Sequence, residues 1–300
     1  MAETENYRCG YVALVGRPNV GKSTLMNHLI GQKISITSSK PQTTRHRILG
    51  IKTEPTYQAV FVDTPGLHQN AKKAVNRYMN RTAKSALTDV DLIIFVVEAA
   101  RWTDDDENVL RQLRAAGKPV VLAVNKIDHI KDKAELLPLL QGLARKMDFA
   151  AMVPVSALRR SNLEELETVV ARHLPESEPF FAEDQITDRS ERFLAAEIVR
   201  EKLMRTLGQE LPYELTVEIE QFKNEDNMLN IAAVIWIERD SQKPIVIGKG
   251  GSVLKKVGQS ARTDMEKLFD SKVFLQLWVK VKEGWSDDDR ALSSLGYTDE

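Results

Sequence analysis

One cysteine in 300 residues, Cys9, leaves no partner for an internal disulfide and no set of thiols for a zinc site, a usage that suits a reducing compartment. Long apolar runs are missing as well. Stretches such as those at 92–97 and 120–124 fall far short of the ~20 residues that cross a bilayer, so no transmembrane helix is expected. The first nine residues carry Glu3 and Glu5 where a secretory leader has its apolar core, and a cytoplasmic location is the expectation. Repeats and low-complexity segments are lacking, and the five histidines, at 28, 46, 68, 129 and 173, have no metal-site spacing. What is left is 42% hydrophobic and 28% charged residues, which excludes disorder and collagen and at this length predicts about two domains.

A net charge of −1 hides an uneven map. Acids are missing between Glu5 and Glu54, where Arg8, Arg17, Lys22, Lys33, Lys40, Arg45, Arg47 and Lys52 lie. They are missing again between Ser241 and Thr263, where Lys243, Lys249, Lys255, Lys256 and Arg262 lie. Two local positive fields suit two separate anionic ligands. Residues 286–300 tilt the other way, with Asp287, Asp288, Asp289, Asp299 and Glu300 against Arg290, and read as a solvated acidic tail.

From Tyr11 to about Leu174, short apolar strands alternate with amphipathic helices. Strands are expected at 11–15, 59–62, 92–97, 120–124 and 152–155, and helices at 23–30, 75–87, 105–116, 135–146 and 163–173. This alternation means an α/β domain, a mostly parallel sheet with helices on both faces. Residues 45–52 and 57–62, around Glu54-Pro55-Thr56, predict an antiparallel hairpin at one edge. The pattern lapses after His173 in a polar, proline-containing stretch. The expected organisation is therefore a first domain over 1–174, a linker over 175–189, a second, α+β domain over 190–285 and the tail over 286–300. Within the second domain the order is helix (190–207), strand (213–222), strand (228–238), glycine-rich turn, helix (252–269) and strand (272–280), with a hairpin turn at 224–227.

Gly16-Arg17-Pro18-Asn19-Val20-Gly21-Lys22-Ser23 fits the phosphate-loop pattern, directly after a strand and directly before a helix, with Thr24 next in line. Its backbone amides converge on phosphate oxygens and the helix N-terminus adds its positive dipole end; Lys22 reaches the β- and γ-phosphates, and Ser23 ligates magnesium. Asp63-Thr64-Pro65-Gly66 follows a strand, so Asp63 holds the same magnesium and the Gly66 amide senses a γ-phosphate. Asn125-Lys126-Ile127-Asp128 follows another strand. Its Asp128 carboxylate can accept two hydrogen bonds from guanine, for which adenine has no matching donor pair. The Lys126 stem lies over the base plane and Asn125 ties the loop to the phosphate loop. Ser156-Ala157 follows the last strand and presents amides to the guanine O6. In this order the four motifs predict a domain that binds and hydrolyses GTP, with Lys22 as a catalytic cation.

In the second half, Gly248-Lys249-Gly250-Gly251 after Ile245-Val246-Ile247, read as a strand-like run, and before a helix fits the Gly-x-x-Gly loop of KH domains, in the bacterial, type II order. Lys243, Ile247, Lys249, Lys255 and Lys256 join the loop as candidate RNA contacts. Residues 191–285 hold fifteen basic and fifteen acidic residues, so binding has to come from this local patch. The competing reading is a GTP-controlled tether whose second domain docks on a protein or a membrane surface.

With Pro41-Gln42-Thr43-Thr44-Arg45 and Leu67-His68 added to these motifs, nearly the whole chain resembles the translation-factor-like GTPases and, within them, the Era family. The resemblance implies a Ras-like phosphate-loop domain followed by a type II KH domain. It makes Thr44 the switch residue that ligates magnesium in the GTP state, with Thr43 as its rival. Leu67 stands where Ras-like proteins place a water-orienting glutamine, so turnover is expected to be slow. Asn19 matches a side chain that in related enzymes helps hold potassium beside the phosphates. The expected ligands are GTP, GDP, magnesium and potassium. The expected partners are the 3′ end of small-subunit ribosomal RNA, the small subunit itself and, weakly, the inner face of the cell membrane, with no DNA.

Overall fold

Six runs of strand-forming residues build the first sheet: β1 (Arg8–Val15), β2 (Ile48–Glu54), β3 (Tyr57–Asp63), β4 (Leu92–Glu98), β5 (Val120–Asn125) and β6 (Ala151–Pro154). The computed structural model describes residues 7–38, 40, 43–65, 73–208 and 211–297. The strand order is β2-β3-β1-β4-β5-β6, with β2 antiparallel to β3 and every other neighbour parallel. Strands β4 and β5 are buried along their length because helices cover both faces, which is why they read as unbroken apolar runs. The helices are α1 (Lys22–Ile30), α2 (Ala74–Ser85), α3 (Asp104–Ala116), α4 (Leu136–Ala144) and α5 (Leu163–His173). Parallel pairing sends the carboxyl ends of β1, β3, β4, β5 and β6 to one edge, the place where open α/β sheets bind ligands.

Contacts divide the described chain into two compact units. The first comprises 7–35, 44–65 and 79–188 and contains the six-stranded sheet. Residues 175–188, expected as a linker, belong to it. The reason is Gln58, wholly buried in β3: its Oε1 accepts the Phe180 and Phe181 amides at 2.8 and 3.0 Å, and its Nε2 donates to the Phe181 carbonyl at 2.9 Å. Ile51 donates to the Ile186 carbonyl and Leu49 to the Asp188 carboxylate, so the polar strap is tied to the edge strand β2.

The second unit takes 36–38, 40, 43, 73–78 and the described residues from 189 onward. Helix α6 (Glu191–Thr206) precedes β7 (Leu215–Glu225) and β8 (Met228–Ile237), an antiparallel pair joined by Asp226 and Asn227, both at positive φ as a two-residue turn demands. A helix α7 (Lys243–Ile247), the glycine loop, α8 (Ser252–Leu268) and β9 (Lys272–Val281) follow, and β9 runs parallel to β8. The run at 245–247 is therefore helical and not a strand. Pro244 cannot donate to a sheet ladder and its ring suits the first turn of a helix, and these outweigh the β-branched side chains that follow.

The last segment also departs from expectation. Residues 286–297 are no solvated tail: they form α9 (Asp289–Ser294), and Leu292 and Tyr297 are buried. Trp285 has no exposed surface; its indole N–H donates to the Glu214 carbonyl at 3.3 Å and its ring lies 6.1 Å from that of Tyr297. Of the acids that suggested a tail, Asp287, Asp288 and Asp289 lie at the turn and cap, where the Asp288 carboxylate accepts the Arg290 and Ala291 amides at the start of α9, and Asp299 and Glu300 lie outside the described residues. Trp285→Ala should destabilise the second unit by about 3–5 kcal/mol, the usual range for emptying a buried tryptophan site. Urea unfolding followed by circular dichroism reads this directly, and an unchanged midpoint would show that the segment contributes nothing to the unit's core.

Candidate functional site

The loop from Gly16 to Gly21 joins β1 to α1 at the carboxyl edge of the sheet. Gly21, the N-cap of α1, has φ 103°, and a Cβ there would collide with the Asn125 amide, so only glycine lets the two loops approach. No acid occupies the first turn of α1, leaving its dipole free for an anion. The buried Lys22 ammonium donates to the carbonyls of Gly16 and Arg17 at 2.9 and 3.1 Å, coiled over the loop's own backbone. Burial pushes Lys22 down from its ordinary value to about 8, against the opposing pull of Asp63. Val20 is buried and Asn19 sits at φ 64°.

Three elements deliver hydroxyls to one carboxylate. Asp63, the last residue of β3, is wholly buried, and its Oδ2 accepts from Ser23 at 2.8 Å, from Thr44 at 3.0 Å and from Ser35 at 2.6 Å. The Ser23 and Thr44 hydroxyls are themselves 3.0 Å apart. Ser23, Thr44 and Asp63, the expected magnesium ligands, thus meet in one place, and it is the Thr44 hydroxyl, not that of Thr43, that stands beside Ser23. The other oxygen of Asp63 is buried with no hydrogen-bond partner among the described residues. Burial raises the Asp63 pKa, opposed by the hydrogen bond from Ser35, the charge of Lys22 and the bonds from Ser23 and Thr44. An orphaned carboxylate oxygen among hard oxygen donors fits a divalent cation such as magnesium, which would supply the missing partner and favour the ionised acid. Ser35 carried no motif that could have marked it. Thr64 uses its hydroxyl on the Leu14 carbonyl at 3.1 Å, a structural tie between strands. Gly66, Leu67 and His68 lie outside the described residues, as do Pro41 and Gln42.

At the end of β5, Asn125 is buried and its amide does two things. Its Nδ2 donates to the Val20 carbonyl at 2.7 Å and its Oδ1 accepts the Ala157 amide at 2.9 Å, joining the phosphate loop to the loop after β6. Lys126 holds a left-handed backbone at φ 64°. Asp128 accepts from the Ser156 hydroxyl at 2.5 Å, the leading cause of its lowered pKa, and so stays a ready acceptor for a pair of donors. The Arg17 side chain, expected at the nucleotide, reaches instead to Glu98 and Asp106, two acids that no motif had singled out.

In the second unit the glycine loop stands between α7 and α8, with Gly248, Gly250 and Gly251 all at positive φ. Lys249, Lys255, Lys256 and Arg262 are exposed, whereas Lys243 is half-buried and paired with Asp240 at 2.9 Å. A groove between α8 and β9 is floored by Leu254, Leu275 and Leu277 and edged by Lys255 and Arg262. An apolar floor with cationic margins beside an open backbone loop suits a single-stranded polyanion with exposed bases.

A phosphate loop, an Asp at the adjoining strand end, a guanine-type Asn-Lys-x-Asp loop and a separate glycine-loop unit define the class: a phosphate-loop GTPase carrying a KH domain. Comparison agrees. The family model described as 50S ribosome-binding GTPase matches residues 11–126 and the KH domain model matches 210–286. The chain is 62% identical over 299 residues to GTPase Era of Pseudomonas syringae pv. tomato, covering all of both chains. It is 64% identical over 292 residues to that of Pseudomonas aeruginosa, covering 97% of this chain and 96% of the relative. Two solved structures, an Era variant from Aquifex aeolicus bound to GDP and aluminium fluoride and an Era complex with magnesium, GDPNP and nucleotides 1506–1542 of 16S ribosomal RNA, each superpose with a TM-score of 0.94 at 42% identity, over 97% of this chain and 99% of theirs. The chain belongs to the Era family of GTPases, and it hydrolyses GTP.

The shifted Lys22 makes binding pH-dependent in a defined direction. Below about pH 8 the ammonium is already charged, and above it the neutral amine must take up a proton to meet a phosphate. GDP binding at pH 8.5 should therefore absorb a fraction of a proton approaching one, falling toward none at pH 7, and affinity should drop as pH rises through 8. Titration calorimetry in two buffers of different ionisation enthalpy measures the uptake; equal heats at pH 8.5 would rule the shift out.

Proposed function

We propose that this protein is a GTP-driven RNA-binding switch that acts on the 3′ end of small-subunit ribosomal RNA during assembly of that subunit, in the cytoplasm. The observation that carries the reading is the apolar groove between α8 and β9, edged by exposed Lys255 and Arg262, with exposed Lys249 in the glycine loop and exposed Lys256 next to Lys255 on α8. The complex of an Era relative with a 16S ribosomal RNA fragment supports the choice of RNA. In the same reading, guanine is held by Asp128 and by the loop at Ser156 and Ala157, and the phosphates by residues 16–24. Magnesium is held by Ser23, Thr44 and Asp63, with GTP sensed by Gly66. Association with a membrane surface rests on family resemblance alone, and among the described residues no helix is long and apolar enough to cross a membrane. No observation among the described residues favours the tether reading.

The clean test leaves the glycines alone. A side chain at Gly248 would stand 2.5 Å from a Val253 methyl carbon and distort the loop itself. Charge reversal at three exposed lysines, Lys249→Glu with Lys255→Glu and Lys256→Glu, avoids that. Filter binding to a single-stranded fragment of the ribosomal RNA 3′ end should lose at least about tenfold in affinity, and the dependence of log affinity on log salt should flatten by about one unit for each phosphate contact removed. Unchanged affinity and slope would move RNA binding away from this groove and favour the tether.

Potassium enters as the missing cation of hydrolysis. Leu67 offers no hydrogen bond to water, and Asn19 stands in the phosphate loop in the left-handed conformation. GTP hydrolysis should run several-fold faster in potassium chloride than in sodium chloride at matched ionic strength, and Asn19→Ala should erase the difference. Equal rates in the two salts for the parent protein would remove the cation.

A further inference from the structure

The side chain of Arg17 leaves the phosphate loop in the direction of two acids. Its Nη2 donates to Glu98 Oε2 at 2.7 Å and its Nε to Asp106 Oδ2 at 3.0 Å. The Asp106 carboxylate is wholly buried, and the same Oδ2 accepts the amide and hydroxyl of Thr103, both at 2.9 Å, as the cap of α3. Glu98 is the last residue of β4 and lies in register with Asn125 on β5. Its Oε2, the atom that receives Arg17, is also 3.3 Å from the ammonium of Lys126. One carboxylate oxygen thus holds a cation from the phosphate loop and a cation from the base loop, with little exposure of either acid. Burial alone would raise the pKa of Glu98, but the hydrogen bond from Arg17 and the charge and hydrogen bond of Lys126 outweigh it and keep the carboxylate ionised.

We propose that Glu98 is a positioning residue that couples the two halves of the nucleotide site, fixing the Lys126 stem over the guanine through the same oxygen that anchors the phosphate loop by Arg17. The physical case rests on reach and charge. Lys126 is a long, flexible side chain that gains from pre-organisation only if its ammonium is held, and Glu98 is the acid that holds it. Arg17 keeps a second partner in Asp106, so loss of Glu98 frees Lys126 more than it frees the loop. The inference rests on Lys126 covering the base, and the test separates the two.

Release of a fluorescent GDP analogue from the full-length protein is measured by stopped flow for Glu98→Gln, Lys126→Met and the double variant. Lys126→Met keeps an apolar stem over the base and removes only the charge. Each single change should speed release by about tenfold, and the double variant should release at nearly the rate of the faster single, because both changes break one link. Glu98→Asp, which keeps the charge on a shorter stem, should recover part of the loss, and this recovery is not expected if Glu98 serves only to fill space. Release from the double variant at the product of the two single effects overturns the coupling, as does normal release from Glu98→Gln. Normal release from Lys126→Met also overturns the coupling, since only the ammonium is lost; normal release from Lys126→Ala, which removes the stem as well, would show instead that Lys126 does not cover the base, and the proposal fails with that reading. If Glu98→Gln lowers the melting temperature of the nucleotide-free protein, the Glu98→Asp and Lys126→Met pair supplies the same cycle, with additivity again the overturning result.

Discussion

The buried amide of Asn125 is the interaction on which the site depends. It grips the Val20 carbonyl with one end and the Ala157 amide with the other, so three loops from three strands share one side chain. An amide can do this because it carries donor and acceptor a fixed distance apart, and buried polar groups are stable only when both are used. Gly21 follows from it: the chain passes so close to this amide that any side chain would clash. The phosphate loop, the base loop and the Ser156-Ala157 loop are therefore one assembly, and the parallel sheet supplies the edge on which they meet.

Burial leaves the key charges of this assembly unsatisfied by solvent. Lys22 is pushed down to about 8 and Asp63 is pushed up, each by loss of water, while one Asp63 oxygen keeps no partner among the described residues. A triphosphate with its metal carries both missing counter-charges, so ligand binding relieves a cost that folding incurs. Arg17, Glu98, Asp106 and Lys126 show the opposite arrangement, two cations balanced by two acids within the protein. The charges of that set balance without a ligand, although one buried Asp106 oxygen keeps no hydrogen-bond partner among the described residues, and internal balance suits a support more than a binding group.

The second unit works by a different economy. Its glycine loop has little to do with packing at Gly250 and Gly251, where an added Cβ would meet nothing, but the positive φ of all three glycines opens the backbone to whatever approaches. The cationic side chains stand exposed at the margin, and the apolar floor lies between α8 and β9. Balanced charge over the whole unit keeps the attraction local.

Local pattern sufficed for everything whose chemistry is contiguous. The four nucleotide motifs, the alternation that makes a parallel sheet, the edge hairpin and the glycine loop were legible in the sequence because each is built from short contiguous segments whose residue pattern is local. Other features depended on partners far along the chain. Arg17 meets Glu98 and Asp106 across 81 and 89 positions, and Ser35 reaches Asp63 across 28 with no motif to mark it. A polar, proline-containing stretch was bound to look like a linker until Gln58 was seen to hold its backbone, and an acidic end looked like a tail until Trp285 and Tyr297 were found packed. The sequence by itself determined the nucleotide chemistry, the class of fold and the place of the glycine loop, since those reside in short-range order. Tertiary structure alone decided which charges are buried, which acid pairs with which cation and where the strap and the last helix lie, because burial is a property of what packs around a residue and not of the residue itself.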